Sequence, residues 1–460
     1  MRRLNICMVS DFFYPNMGGV EAHIYHLSQR LVRRGHKVIV VTHNYGRRAG
    51  VRYLTSGVKV YHIPHWLVYD QVSLPTVYSL FPLFRYIVVR ERIDVVHGHG
   101  AFSSMCHEAI LHARTMGLRA CFTDHSLFGF EDASSILTNK LLKFTLSDID
   151  HVICVSHTSK ENTVLRASLD PLQVSVIPNA VVAADFRPNS SAREAGKITI
   201  VIASRLVYRK GVDLMVAVIP CICAQFEDVN FLIAGDGPKR TDLEQMQDKY
   251  GLQDRVKLLG AVDHARVRDV LVRGHIFLNT SLTEAFCIAI VEAACCGLLV
   301  VSTRVGGVPE VLPEDMVLFA EPDEKDLVSS LSRAIETIRT DAPNPLRFHQ
   351  RVKDMYNWSD VAERTEMVYD TIMTDPHLSL VERLQRYHEC GVYAGILACM
   401  IVALDYLIWL FLEWLLPRED IDVSPAFNHD LFLEICQKKI TTRNDNETKQ
   451  GTQETKGAFI

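Results

Sequence analysis

The chain has 460 residues, 48% of them apolar and 22% charged, with a formal net charge of −5. That size accommodates two α/β domains of ordinary length plus an appendage, with ample material for a core. A net negative chain without a long basic run excludes the usual nucleic-acid binder, and 12 cysteines without a repeated Cys-x-x-Cys hook argue against a zinc framework. Cysteines such as Cys7, Cys121, Cys154 and Cys287 lie inside apolar stretches. They read as small core residues with reduced thiols, which places the bulk of the chain on the cytosolic side of any membrane.

In chain order, Met1-Arg2-Arg3-Leu4 leads into a first strand, Asn5–Val9, and reads as a strand start rather than a signal peptide. Apolar runs follow at Val38–Thr42, Val58–Ile63, Val95–His97, Arg119–Thr123, Val152–Val155 and Val174–Ile177, alternating with helical patterning such as Val20 to Arg34, which Gly35 closes. Strand–helix alternation of this kind predicts a mostly parallel sheet covered on both faces. The small polar stretch 188–196 reads as a linker between a domain at 1–187 and a second α/β series at 197–375. A juxtamembrane segment at 376–390, an apolar segment at 391–416 and a polar, largely disordered tail at 417–460 complete the division.

Polar residues and glycines gather where strands end: Ser10-Asp11, Asp124-His125, Arg205, Gly235-Asp236-Gly237 and Thr280-Ser281. Open α/β sheets bind ligands at those carboxyl edges. Arg205 and Lys210 follow the run Ile198 to Ala203, where a guanidinium fork and an ammonium can close on a diphosphate. Glu284 and Glu292 flank seven residues after another apolar run, His275 to Ser281. On one continuous helix their carboxylates would stand roughly 12 Å apart and about 80° around the axis. A pair working one glycosidic bond sits closer, at roughly 5 to 9.5 Å, so these two suit the two ends of an extended ligand. The plainer alternative makes Glu284 a helix cap and leaves Glu292 solvated. Gly306-Gly307 and Gly18-Gly19 each precede helical patterning, where backbone amides can approach an anion. Asp148-Ile149-Asp150 imitates a metal-holding pair but precedes a strand, so it reads as surface carboxylates and no metal is expected. His97 and His99 read as structural or as lining for an acceptor pocket, and Arg30, Arg33 and Arg34 as a solvated helix face.

Taken together, Arg205, Lys210, the Gly235 turn, the Glu284–Glu292 element and Gly306-Gly307 resemble the retaining glycosyltransferases of family 4. Phe13 to Glu21 and Thr123 to Ser126 join that pattern, and His97 to Ser103, Ser281 to Cys287 and the late apolar segment narrow the likeness to members that begin glycosylphosphatidylinositol (GPI) anchor synthesis; it covers roughly residues 4 to 416. The resemblance implies the GT-B fold, in which two Rossmann-like domains face each other across a cleft. It also implies transfer of N-acetylglucosamine from UDP-N-acetylglucosamine to the inositol of phosphatidylinositol, with retained configuration and no cofactor. Further implications are a place in the endoplasmic reticulum membrane and other membrane subunits as partners. Carried onto this chain, it gives Glu284 the sugar hydroxyls, Glu292 the ribose, and Arg205 and Lys210 the diphosphate. Gly235, Phe286 and Cys287 join the donor wall, with His125 and the Gly18-Gly19 loop opposite. Where many members carry Glu-Gly-Phe-Gly, this chain has Glu284-Ala285-Phe286-Cys287, and side chains at 285 and 287 limit backbone approach to the donor. Another lipid-linked sugar transferase, such as one using GDP-mannose, a GT-B epimerase and a non-catalytic scaffold remain as alternatives.

Residues 391–416 are long enough to cross ~30 Å of hydrocarbon with some tilt, with Tyr406, Trp409 and Trp414 as interface anchors. Arg383 and Arg386 before the segment keep the large N-terminal part cytosolic and the tail lumenal; a re-entrant course is the alternative. Asp405 within it should face protein, which points to other subunits. The sequon at Asn446 matters only for a lumenal tail, and those at Asn189, Asn279 and Asn357 should be unused.

Overall fold

The computed structural model describes residues 2–16, 18–46, 48–54, 56–69, 71–127, 133–425 and 434. The stretch beyond Thr441 and its Asn446 sequon lie outside them. Strands β1 (Asn5–Val9), β2 (Lys37–His43), β3 (Gly50–Tyr53), β4 (Lys59–Ile63), β5 (Leu67–Tyr69) and β6 (Val72–Ser73) precede β7 (Val95–His99), β8 (Arg119–Asp124), β9 (His151–Cys154) and β10 (Val174–Val176). Apart from the small β5–β6 hairpin they form one sheet in the order β10-β9-β8-β7-β1-β2-β4-β3, parallel except at the β3 edge. A second sheet comprises β11 (Ile198–Ala203), β12 (Val229–Ala234), β13 (Val256–Gly260), β14 (Ile276–Asn279), β15 (Leu299–Thr303) and β16 (Val317–Ala320). Its order is β13-β12-β11-β14-β15-β16, parallel throughout.

Both sheets are doubly wound by helices α1 (Gly19–Arg33), α2 (Phe81–Arg90), α3 (Ser104–Thr115), α4 (Ala133–Leu146), α5 (His157–Ala167), α6 (Val212–Gln225), α7 (Arg240–Tyr250), α8 (His264–Leu271), α9 (Ile288–Cys295) and α10 (Glu324–Thr340). Burial on both faces explains continuous runs such as Val38-Ile39-Val40-Val41 in place of alternation. Strand order reverses at β1/β7 in the first sheet and at β11/β14 in the second, which opens a crevice at each carboxyl edge. The exposed edge strand β3 and the hairpin escape the sequence reading, because four mixed residues at an edge carry no distinct period.

After α11 (Pro345–Met355), helix α12 (Trp358–Thr374) returns to the first unit instead of finishing the second. Its Glu366 accepts from Arg34 Nε at 2.5 Å and meets His36 Nε2 at 2.9 Å, and Tyr369 OH meets His97 Nδ1 at 2.6 Å. The division at residue 375 therefore does not follow the packing, and Arg34 is paired, not merely solvated. Asp148 and Asp150 are likewise not surface carboxylates. Asp148 is fully buried and binds Arg383 Nε at 2.6 Å, and the Asp150 carboxylate, 7% exposed, binds Arg114 Nη1 at 2.5 Å.

Helices α13 (Leu380–His388) and α14 (Val392–Leu415) close the described chain. Among the described residues, α14 is the one helix long and apolar enough to cross a membrane. Asp405, expected to seek another subunit, finds its partner in this chain: its Oδ1 lies 2.8 Å from His112 Nδ1 on α3, with both side chains fully buried.

Candidate active site

The two crevices bring most of the singled-out residues to one place. In the second unit, Gly211 (φ +68°) presses on the Thr280 carbonyl, and Gly235 (φ +150°) on that of Ser204, where a Cβ would collide with backbone. These contacts lay the 204–211 loop across the ends of β11 and β14. Lys210 Nζ there forms an ion pair with Glu284 Oε1, which also accepts from Ser281 Oγ at 2.9 Å. Burial opposes the Lys210 charge, but the Glu284 carboxylate and Cys287 outweigh it and lift the ammonium's pKa above its ordinary value. Arg205 is exposed just beyond β11 and lies near enough to oppose the charge on Lys210. Phe286 is buried edge-on against Tyr356, with ring centroids 5.6 Å apart. Cys287 heads α9 in the left-handed region at φ +65°, its thiol pKa pushed up by burial and by Glu284.

Glu284 and Glu292 are not on one continuous helix, because α9 starts only at Ile288. Nor does Glu284 cap that helix. Glu292 is buried, and its Oε1 lies 3.1 Å from Nε2 of His264 at the start of α8. That hydrogen bond raises the imidazole pKa against the cost of burial. The sequence reading missed His264, since 28 positions separate the pair and only the tertiary packing joins them. The turn at Gly306-Gly307 also differs from expectation. Gly307 N donates to the Glu284 carbonyl at 3.0 Å, so this amide anchors the Glu284 loop rather than an anion.

In the first unit, His125 follows β8 and is half-buried. His23 meets it edge-on with ring centroids 4.6 Å apart, and His99 Nδ1 lies 3.4 Å from its Nε2. Ligand nitrogens of His23, His99 and His125 all fall within 4.8 Å of one another, which is the metal-like histidine cluster among the described residues. Their other contacts are internal: His23 Nδ1 meets Asn179 Oδ1 at 2.8 Å and His99 Nε2 meets Met8 Sδ at 3.4 Å. Burial lowers the imidazole pKa of His23 to about 4, and those of His99 and His125 well below the ordinary value. The cluster forms a neutral, packed wall. Gly18 and Gly19 are exposed at the start of α1. Gly18 is extended at φ −165°, so its backbone does not require glycine, and a Cβ there would meet only the end of the Glu21 side chain.

The units meet beside these residues. Glu310 accepts from His157 N at 2.6 Å, Thr158 N at 2.8 Å and Thr158 Oγ1 at 2.6 Å, across the junction at the start of α5. Beside the same junction Gly306 packs against both the Glu284 carbonyl and Leu127, two residues beyond His125, so the Glu284 loop approaches the end of β8.

Residues 43–132 match the family described as PIGA (GPI anchor biosynthesis), and residues 184–353 match glycosyl transferases group 1. Solved structures share the fold: sucrose-phosphate synthase from Thermosynechococcus elongatus superposes with a TM-score of 0.66 at 20% identity, covering 81% of this chain and 99% of that one. Anabaena HepE in complex with UDP and glucose gives 0.64 at 16% identity, covering 81% and 100%. Among the relatives in sequence, the phosphatidylinositol N-acetylglucosaminyltransferase gpi3 subunit of Schizosaccharomyces pombe is 60% identical over 90% of this chain and 91% of its own. The corresponding human transferase subunit is 56% identical over 92% and 88%. This chain, a GT-B glycosyltransferase, belongs to the PIGA/gpi3 family of phosphatidylinositol N-acetylglucosaminyltransferase subunits.

Proposed function

We propose that this protein transfers N-acetylglucosamine from UDP-N-acetylglucosamine to the inositol of phosphatidylinositol, the first step of GPI-anchor synthesis, with retained anomeric configuration. The reaction belongs at the cytosolic face of the endoplasmic reticulum membrane, in a complex with other membrane subunits. The observation that supports the reading is the Lys210–Glu284 pair at the reversal point of the second sheet, on a loop that Gly306 packs against Leu127, two residues beyond His125. Lys210 and Arg205 offset the negative charge that develops on the departing diphosphate, the kind of electrostatic term that dominates such chemistry. Glu284 holds the sugar hydroxyls, and Glu292, fixed by His264, holds the ribose. His125, kept neutral by burial, offers a hydrogen bond beside the sugar without repelling an incoming hydroxyl. No carboxylate among the described residues of the site is poised as a covalent nucleophile, so the leaving phosphate acts as base for same-face attack.

The test uses membranes carrying the chain in its native complex, supplied with labelled UDP-N-acetylglucosamine and phosphatidylinositol. Wild type makes labelled glycolipid. Glu284→Gln and Lys210→Ala each lose about 10²- to 10³-fold in turnover, the scale of removing one preorganised electrostatic group. Equal product from wild type and Glu284→Gln would assign the chemistry to another subunit, and label from a different sugar nucleotide only would overturn the donor.

A further inference from the structure

The carboxyl edge of the second sheet holds the Arg205–Lys210 loop and Glu284, while its amino edge carries positive charge that the transfer reaction does not use. A cavity of about 140 Å³ opens there, lined by Arg193, Thr199, Asn230, Arg255, Lys257 and Arg273. Thr199, Asn230 and Lys257 each stand second in their strands, β11, β12 and β13. Arg255 directly precedes β13, and Arg273 lies in the turn between α8 and β14. The parallel register, which sets Thr199 beside Asn230, delivers these residues to one end of the sheet. At ~3.3 Å per residue, the stretch from Thr199 to Arg205 spans roughly 20 Å, so the cavity is separate from the catalytic crevice.

The charges around it are not balanced. Arg255 is engaged by backbone carbonyls: its Nε donates to Val229 O at 3.1 Å and its Nη1 to Cys223 O at 2.7 Å, so it contributes a fixed positive charge. Arg193 comes from the linker 188–196 and is half-buried; its Nη2 donates to Gly297 O at 3.3 Å, and its Nη1 has no acceptor among the described residues. Burial works against this guanidinium and lowers its pKa, with no carboxylate beside it to offset the cost. Lys257 and Arg273 are exposed and have no carboxylate partner among the described residues. Exposed cations elsewhere on this unit do have one: Lys239 pairs with Asp213, Arg240 with Glu244 and Arg339 with Asp228. The acid at the rim, Glu194, already holds Lys197 at 3.1 Å. Guanidinium forks and an ammonium around a polar hollow match the oxygens of a phosphate. Pockets that enclose a whole small molecule measure roughly 300–1,000 Å³, so this smaller one admits a compact oxyanion and not an entire nucleotide.

We propose that this amino-edge cavity is a second anion site, which takes a phosphate-class oxyanion on Arg193, Lys257 and Arg273. Arg193 belongs to the linker and the other two to the second unit, so a bound anion clamps the linker to β13 and to the turn before β14. The linker's other tie is the hydrogen bond from Arg268 Nε to Arg187 O at 3.0 Å. The test uses the full chain in its native membrane complex in detergent, with labelled inorganic phosphate or pyrophosphate bound in the presence of saturating UDP, which fills any diphosphate site in the crevice. Wild type should retain one labelled anion per copy of this chain. The double variant Lys257→Ala/Arg273→Ala should bind it about tenfold or more weakly, the scale of losing a hydrogen bond to a charged group, with basal transfer unchanged as the check on folding. Hydrogen exchange across residues 190–196 should slow on adding the anion in wild type and not in the variant. Competition by glycerophosphoinositol stronger than by inorganic phosphate would support a lipid headgroup as the source, and the reverse order a free anion. Because both substitutions lie outside the crevice, an error in the catalytic reading would leave the difference between wild type and variant in place. No binding by wild type beyond what UDP displaces, or equal affinity in wild type and variant, would overturn the proposal.

Discussion

Cys287 stands where many related glycosyltransferases place glycine, and its φ of +65° shows why glycine suits the position. A side chain in the left-handed region costs roughly 1–2 kcal/mol. Neighbouring Ala285 and Phe286 are buried, which holds the segment in place against that cost. Cys287→Gly should therefore keep or raise the thermal midpoint of the purified protein, whereas Cys287→Val, β-branched and bulkier, should lower it. A marked loss of stability in the glycine variant would show that packing of the thiol outweighs backbone strain. The motif around Cys287 was legible in the sequence, but the strain was not, since a motif names residues and not dihedral angles.

Elements are joined by buried charges that lie far apart in the chain. Glu91, just after α2, is fully buried between Lys37 of β2 (2.6 Å) and Lys59 of β4 (2.5 Å), and it also accepts from Tyr61 OH. Burial alone would raise its carboxyl pKa, but these three donors win and lower it from 4.5 to about 2. Below its ordinary value the unfolded chain takes up a proton that the folded chain refuses. The stabilisation is therefore fully present above pH 4.5 and is lost as pH falls toward about 2. Denaturant titrations across that window should show stability falling with acidity in wild type and a flatter profile in Glu91→Gln. Parallel profiles would mean that Glu91 is not the titrating group. Sequence periodicity identified the buried strands of the first sheet and α1, because a sheet buried on both faces writes itself as uninterrupted apolar runs. It could not place α12, because an apolar stripe does not name the surfaces at the α1 end and on β7 that receive Trp358, Glu366 and Tyr369.

At the scale of the whole molecule, the junction between the two units sets the site. Glu310 of the second unit caps α5 of the first, a carboxylate at a helix start, where it is held below its ordinary pKa: burial opposes the charge, but the Thr158 hydroxyl and the two amides prevail. Glu310→Ala should remove a cap worth about 1 kcal/mol and speed hydrogen exchange at the His157 and Thr158 amides, with a rise in KM for the sugar nucleotide. Unchanged exchange at those amides would show that the junction is held elsewhere. Such coupling is invisible in the chain order, because 152 positions separate Thr158 from Glu310.

What the sequence determined by itself was local chemistry: the buried apolar strands, their polar ends, the glycines, the Lys210, Glu284 and Glu292 constellation, and the apolar stretch that becomes α14. Strand propensity and hydrophobic period are properties of neighbouring residues, so they survive without a partner. Tertiary structure alone decided which of these groups meet. It paired Glu292 with His264, turned Gly307 toward Glu284, gathered His23, His99 and His125 into one wall, and gave Asp405 its partner in His112. Each of those contacts depends on burial, and a group's charge state, hydrogen-bond partner and exposure are set by what packs over it from distant parts of the chain.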